Sequence, residues 1–520
     1  MGKLLKILIG ILISIVILFA TVIVSIVTLV DPNQYKNTIL AVIKKQTGSE
    51  FTMGNVKWGL VGSTLGLIIN DVSLVTNPEI NRSPIFTINR MELGLNLLPL
   101  LDKKVSINKM FIDNGKISLV SNGIQNNWSF PLNNKLDNVN YSLDLHEIKI
   151  TNTSFAYTNF ANNLAIGLQS INLTLSPTTI GSINYYSQSN LLSLNKVKFS
   201  LNNIVTGTLD LSYADNLFNL NYVTDSFSLI PLANSVGIDN LPKIFSSKQL
   251  QQMKVSSNIS GTDKNLNISS IQITTPDSQI MAKATVNSFN PISGYNSIQI
   301  NHLDIADYID LNGYRLKASN LTSQGNFVER DKQIYADQDL AIQNLILYGY
   351  NLHNLSVKIA TILSNPVKII SVPLTITQIQ NSIAAANTKG QKNLAITSTL
   401  GHLTSKVTYT GKTIENHNLV LSGPDLRANA NGKLDINKNY MNYQVNAQFV
   451  ADPNSLTGKI IYPATISGRP DSPDDSIDWT SVNKQIVQNL GGSLIQTGKD
   501  VGKATDSTVK KISNKIKSWF

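Results

Sequence analysis

Residues 91–97 read Met-Glu-Leu-Gly-Leu-Asn-Leu, and residues 205–211 read Val-Thr-Gly-Thr-Leu-Asp-Leu. Apolar residues recur at alternate positions in both stretches, which is the period of a β-strand with one apolar and one polar face. Similar short segments continue from about residue 51 to residue 470, among them residues 355–359, and Asn-Gly, Asp-Asn and Asn-Pro pairs separate many of them. This pattern predicts a mainly β protein built from antiparallel strands and turns.

Alternation does not by itself choose the shape of the sheet. Each strand and turn would take about 12–16 residues, which gives about 25–30 strands, one of the turns lying at Asp113-Asn114-Gly115. The apolar face of so large a sheet has to be covered, by folding into sandwiches, by closing into barrels, or by curling into a long U-shaped trough. All three shapes fit the periodicity.

The N-terminus predicts a membrane anchor. Residues 7–30 carry no charge and would span roughly 36 Å as a helix, enough for the ~30 Å hydrocarbon core of a bilayer. Residues spaced along this run are Ile7, Leu12, Ile17, Val22 and Val30. A cleaved signal peptide is the rival, but its apolar region is usually only about 7–15 residues long and ends in a small-x-small site, so an uncleaved anchor is favoured. Lys3 and Lys6 precede the run, which predicts a cytoplasmic head at residues 1–6 and export of the rest.

Helical signals flank the strand region on both sides. Asp31-Pro32 is typical of a helix start and Gly48 of a helix end, so an amphipathic helix is expected at residues 31–48. A β domain with a few short helices is expected at residues 49–480. The tail, residues 481–520, is predicted to end in a basic amphipathic helix that carries Lys510, Lys511, Lys515 and Lys517. Such a helix suits a membrane surface or an acidic partner, or it can cap the end of the sheet.

Composition and motifs exclude several classes of protein. The chain has no cysteine, and its net charge of +10 is not gathered into a dense basic run in the middle of the chain, so no nucleic-acid partner is expected. The five histidines are scattered, and neither a phosphate-binding loop nor a metalloprotease or serine-hydrolase motif is present. We therefore predict no catalytic residues, no metal and no cofactor.

An ordered set of segments carries a resemblance to a known family. Asp31-Pro32-Asn33-Gln34-Tyr35-Lys36 follows the apolar run, and His302-Leu303-Asp304 opens a characteristic segment in the second half. The other matching segments lie at residues 47–48, 67–74, 91–101, 105–107, 113–119, 127–130, 426–435 and 462–471. Together they resemble the AsmA family over residues 1 to about 480.

The resemblance implies an inner-membrane protein whose bulk lies in the periplasm. It further implies a twisted β-groove related to chorein-type bridge-like lipid transfer proteins, with phospholipid, the inner membrane and periplasmic or outer-membrane proteins as partners. The leading hypothesis is lipid binding and transfer in a groove lined by apolar side chains of the alternating strands. These candidates are Leu93, Leu95, Ile107, Leu119, Leu173, Leu209, Leu211 and Ile300. The alternative is a non-catalytic scaffold that assists or regulates outer-membrane protein assembly, with the apolar face packed on itself.

Overall fold

The computed structural model describes residues 31–500 except for several short stretches. These stretches are residues 38–39, 42–43, 45–48, 76–83, 97–105, 123–124, 128–141, 161–163, 187–190, 215, 239–247, 263, 290, 305–314, 332, 365–371, 390–393, 451–456 and 471. The chain divides into two compact units: Met1–Leu241 with Gln251–Asp263, and Pro242–Leu250 with Lys264–Phe520. Both units are mainly β, as the alternating sequence predicts.

The described residues of the first unit contain twelve strands, an N-terminal helical segment and one further α-helix. The strands are β1 (Glu50–Thr52), β2 (Val56–Val61), β3 (Thr64–Val75), β4 (Phe86–Leu95), β5 (Ile107–Ser121), β6 (Ser142–Asp144), β7 (Glu147–Asn159), β8 (Leu164–Tyr186), β9 (Leu191–Leu201), β10 (Val205–Ala214), β11 (Leu217–Thr224) and β12 (Lys254–Gly261). The helix α1 (Leu229–Ser235) follows β11. A 3-10 turn at Pro32–Tyr35 begins the described chain, and the described residues between 36 and 44 are helical, as expected.

Strand order in the first unit follows the chain with two exceptions. Both β1 and β2 pair with β3, and β6 pairs with one end of β8. The pairing of β5 with β7 is parallel, which corrects the expectation of a wholly antiparallel sheet. A parallel pair needs a crossover connection of a dozen or more residues, and residues 122–146 supply that length.

The prediction of a turn at Asp113-Asn114-Gly115 is wrong, because these three residues lie within the single strand β5. Asn114 instead adopts a left-handed backbone conformation, with φ of +52°, and Asp71 does the same in β3 with φ of +54°. Such a residue interrupts the strict alternation of a strand, so Ile69 and Val72 both pack into one cluster although they are three positions apart. The turn-like residues therefore keep apolar side chains on one face.

The described residues of the second unit form an antiparallel meander with three α-helices. Its strands are β13 (Leu266–Thr274), β14 (Gln279–Phe289), β15 (Ile292–Asp304), β16 (Arg315–Arg330), β17 (Gln333–Tyr348), β18 (Thr397–Tyr409), β19 (Thr413–Ser422), β20 (Leu426–Asp435), β21 (Tyr440–Phe449), β22 (Tyr462–Arg469) and β23 (Ser472–Ile477). Each strand pairs with the next. Two helices, α2 (Leu352–Leu363) and α3 (Val372–Lys389), lie between β17 and β18, and α4 (Trp479–Asp500) follows β23.

Helix α2 replaces a predicted strand. Leu355, Val357 and Ile359 alternate, but the buried residues of this segment are Leu352, Leu355, Ser356, Ile359 and Leu363, which fits the helical period. The side chain of Asn351 accepts a hydrogen bond from the backbone N–H of Asn354 at 2.8 Å and so caps the helix. Packing on a helical stripe, together with the cap, outweighs the short alternating pattern.

Candidate functional site

A continuous apolar face crosses the first unit. Residues that stand opposite each other in neighbouring strands lie on the same face of a sheet, so the pairing registers define rows of side chains. One row, from β2 to β10, contains Trp58, Leu67, Leu93, Met110, Ile148, Leu175, Phe199 and Gly207. The next row contains Val56, Ile69, Met91, Ile112, Ile150, Leu173, Leu201 and Val205.

This face is only partly covered. All eight side chains that β5, β7, β8 and β9 contribute to the two rows are half-buried. Lys149, between Ile148 and Ile150, and Lys198, beside Phe199, belong to the opposite face and are exposed. A closed core would bury the apolar rows fully, so these strands present a surface that can still take up apolar contacts.

A covered part of this face lies at the first strands of the unit. Met53, Val56, Ile69 and Val72 form a buried cluster, and Leu40 of the N-terminal helix packs against it. The helix therefore covers the apolar face at these strands, while the two rows stay half-buried on β5, β7, β8 and β9.

A second cluster gathers several of the sequence-predicted groove residues. Leu145, Ile183, Leu194 and Val197 are buried, and the half-buried residues that pack on them include Ile107, Leu209 and Leu211. Leu209 stands opposite Tyr222, and Leu211 stands opposite Leu220. Burial raises the pKa of the Tyr222 phenol, while a hydrogen bond with Ser257 lowers it by less.

The remaining candidates have different surroundings. Leu93 and Leu173 lie in the two apolar rows, whereas Leu95 is buried. Leu119 stands opposite Tyr157 in the parallel pair and is half-buried. Ile300 belongs to the second unit. The anchor residues Ile7, Leu12, Ile17, Val22 and Val30, and the tail residues Lys510, Lys511, Lys515 and Lys517, lie outside the described residues.

The second unit has an apolar face of its own. One row crosses β15 to β19 with Ile300, Leu321, Ile342, Leu403 and Leu421, and another crosses β16 to β20 with Phe327, Ala336, Tyr409, Ile414 and Leu434. Each of these ten side chains is half-buried. The apolar surface of this unit is therefore also accessible over these strands.

A row of polar side chains divides that apolar face, and the sequence reasoning missed it. Asn296, Gln338, Asn416 and Tyr443 lie in one register row, with Gly325, Val407 and Gly432 between them. We call these four residues the polar row. The only sequence signal is a polar residue where alternation calls for an apolar one, as at Asn416 two positions after Ile414.

Helices cover the apolar face at the last strands of the second unit. Leu355, Ile359 and Leu363 of α2 and Ile379 of α3 form one buried cluster with Ile460, Tyr462, Val482 and Ile486. Tyr462 contacts Phe449 and Trp479 edge to face, with ring centroids 5.2 Å and 6.5 Å apart. A closed core therefore ends this face, as the N-terminal helix closes one end of the first.

The sequence of this chain matches one known family. The model of the AsmA family matches residues 1–392. The chain belongs to the AsmA family. No curated protein and no solved structure matches it. The segments at 426–435 and 462–471, which also resemble the family, lie beyond the matched residues.

One segment that carries the AsmA resemblance forms a charged cluster at the end of β15. The carboxylate of Asp304 accepts hydrogen bonds from the guanidinium of Arg315 and lies 3.4 Å from Lys317 Nζ. Lys317 Nζ also lies 5.6 Å from the centre of the Tyr348 ring. These groups line a cavity of about 420 Å³, where the positive and negative charges partly neutralise each other.

Two further findings concern membrane-spanning helices and metal-binding groups in the described residues. Between residues 31 and 500, outside the stretches named above, no helix is both long and apolar enough to cross a bilayer. In the same residues, no three His, Asp or Glu side chains are grouped so that they could hold a metal ion. The predicted anchor at residues 7–30 lies outside this part of the chain.

Proposed function

We propose that this AsmA-family protein binds phospholipid on its apolar faces and transfers it between the inner and outer membranes of a bacterial cell. Family membership fits a function associated with the cell envelope. The observation that carries the finer proposal is the pair of apolar rows in the first unit, whose side chains on β5, β7, β8 and β9 are half-buried. Acyl chains need a continuous surface of this kind.

The proposed site is a groove rather than a closed pocket. Each unit's apolar face meets a packed cluster at one end, against Leu40 in the first unit and against Ile379 in the second. Within each unit, the half-buried strands beside these clusters would form the floor of a trough, with lipid chains replacing water. A groove of this kind would give a function to the large apolar surface of a protein in which only 15% of the residues are charged.

The proposed location follows from the N-terminal sequence. An uncleaved helix at residues 7–30 would anchor the chain in the inner membrane with the bulk in the periplasm, because Lys3 and Lys6 precede the apolar run. A reporter that functions only outside the cytoplasm, fused after Asn77, should be active. Activity only in a cytoplasmic reporter would reject this topology. Non-catalytic contacts with periplasmic or outer-membrane proteins complete the proposal.

Leu209→Asp tests the lipid groove directly. Leu209 is half-buried in the apolar face, so an aspartate would place a carboxylate where acyl chains are to lie. We expect bound phospholipid to fall about tenfold or more, since ~1.4 kcal/mol of lost binding already gives a factor of ten. The fold should survive with a loss of about 1–3 kcal/mol, as for a partly buried leucine.

Thr208→Asp is the matched control. Thr208 is exposed on the opposite face of the same strand, paired with Val223, and should keep its lipid. Phospholipid that co-purifies with the full chain is measured by mass spectrometry, and folding by thermal unfolding. Unchanged lipid content in stable Leu209→Asp would reject the groove at this position. If that variant collapses and the wild type carries no lipid, the scaffold alternative replaces the proposal.

A further inference from the structure

The polar row lies within a face that is otherwise apolar. From Asn296 on β15 to Tyr443 on β21 the row takes six steps between strands, about 29 Å at the usual strand spacing. Along the strands, the row of Phe327 lies two residues away in one direction. In the other direction, the row of Ile298, Ser323, Leu340 and Ser405 lies two residues away, and the row of Leu321 lies four residues away. Half-buried apolar side chains therefore border a line of polar ones.

Two glycines make room for the long polar side chains. A Cβ atom on Gly432 would lie 2.4 Å from Tyr443 Cγ, so the tyrosine ring occupies the space above this glycine. Tyr443 OH reaches across it and donates a hydrogen bond to Asn416 Oδ1 at 2.5 Å. Gln338 Nε2 likewise donates to Asn296 Oδ1 at 3.0 Å, across the strand that carries Gly325. The side chains are thus linked along the row rather than standing apart.

The hydrogen bonds within the row leave amide N–H groups unused, although each amide oxygen also keeps a second lone pair. Gln338 Oε1 accepts from Ser323 Oγ at 3.3 Å, and Asn416 Nδ2 donates to Ser405 Oγ at 3.2 Å. All three amide oxygens of the row therefore accept one bond already. Each amide nitrogen carries two protons, and that of Asn296 donates to no other described residue. The half-buried row offers neutral N–H donors to whatever lies on the face.

Neutral donors select neutral acceptors. None of the four side chains in the row is charged, so a phosphate would find no cation there to pair with. Bare hydrocarbon would leave the remaining N–H groups without partners, which is unfavourable. A carbonyl oxygen at the junction between a polar group and an acyl chain satisfies both requirements: it accepts from the amides, and its chain lies on the bordering apolar rows.

We propose that the polar row donates hydrogen bonds to the ester carbonyls of diacyl lipids, so that the second unit prefers ester-linked to ether-linked chains. This inference rests on the proposed lipid binding and deepens it by naming the lipid group that the row recognises. The row gives a bound lipid a preferred depth on the face, with its esters at the amides and its chains on the rows of Leu321 and Phe327.

The test compares two lipids that differ only at the linkage. The full chain in detergent is incubated with labelled diester phosphatidylethanolamine or with its dialkyl ether analogue, which lacks the carbonyls. We expect the diester to bind about 3- to 10-fold more tightly, the effect of one or two hydrogen bonds. Gln338→Met should bring this ratio close to one without abolishing binding, because methionine keeps the shape and removes the donor.

Two further variants keep the result interpretable. Gln343→Met changes an exposed glutamine of the same strand, one position from the apolar Ile342 and hence on the opposite face, and should keep the preference of the wild type. Asn296→Leu removes the amide at the other end of the Gln338 bond, and it should abolish the preference even if Gln338→Met folds poorly. Equal binding of both lipids by the wild type would overturn this inference alone. Absence of binding by either lipid would overturn the proposed function as well.

Discussion

Asn33 holds the backbone of Val56 through both ends of its amide. Its Oδ1 accepts from the Val56 N–H at 2.9 Å, and its Nδ2 donates to the Val56 carbonyl at 2.8 Å. Val56 belongs to β2, which pairs only with β3 among the described strands. The side chain thus satisfies backbone groups at the sheet edge and fixes the start of the N-terminal helix to the first unit.

Replacing Asn33 by leucine should loosen this attachment. The two hydrogen bonds to Val56 are lost, together with the one from Nδ2 to Asp31, and the edge groups of Val56 return to water, which should destabilise the first unit by about 1–3 kcal/mol. Hydrogen–deuterium exchange of the full chain should show faster exchange in β2 while β16 and β17 remain unchanged. Asn37→Leu, at an exposed position of the same helix, serves as control. Equal exchange in both variants would contradict the role given to Asn33.

Two tyrosine-to-phenylalanine changes should have opposite effects. The hydroxyl of Tyr462 is buried and finds no hydrogen-bond partner among the described residues, and burial raises the pKa of this phenol. Removing it should be neutral or should stabilise the fold by up to about 1 kcal/mol. Tyr443→Phe instead removes the donor to Asn416 and should cost about 1 kcal/mol. Calorimetric unfolding of the two variants gives the comparison, and a larger loss for Tyr462→Phe would show that its hydroxyl is satisfied.

Helix α4 should become less firmly capped in acid. Asp478 accepts from the Ser481 hydroxyl at 2.6 Å and from the Ser481 N–H at 3.1 Å, which lowers the pKa of its carboxyl below the ordinary 3.8. A lowered folded pKa gives stability that is present above pH 3.8 and is lost as the pH falls through the folded value. The Ser481 amide should therefore lose protection from exchange in that window, after its rate is corrected for the intrinsic pH dependence of exchange. The acid-dependent loss of protection at Ser481 should vanish in Asp478→Asn. A loss that persists in this variant would come from another titrating group.

The sequence predicts the strands and their apolar face better than the connections between them. Alternation places Leu93, Leu173 and Leu209 correctly on strands because a half-buried sheet requires that period. It fails at Asn114, because Asp-Asn-Gly is favourable both in a turn and at a left-handed residue within a strand. The parallel pairing of β5 with β7 depends on contacts distant along the chain, which local periodicity does not contain.

The polar row was beyond sequence reasoning for a related reason. A single polar residue where alternation calls for an apolar one, such as Asn416, gives the same sequence pattern as a strand that ends a residue earlier or later. Its meaning appears only when neighbouring strands bring Asn296, Gln338 and Tyr443 into the same row. The candidate lipid surface was therefore predictable as apolar, but its internal polar line was not.

The buried cluster beneath α2 and α3 has a consequence for the order of folding. Leu355 and Ile379 precede β18 in the chain, yet their buried partners Ile460 and Ile486 arrive about a hundred residues later. During synthesis the two helices can cover only part of their apolar stripes by contacting each other, until β22 and the start of α4 have emerged. Contacts of such long sequence separation slow folding and leave the intermediate prone to association. The segment after residue 392, beyond the family match, thus completes a core that the matched residues begin.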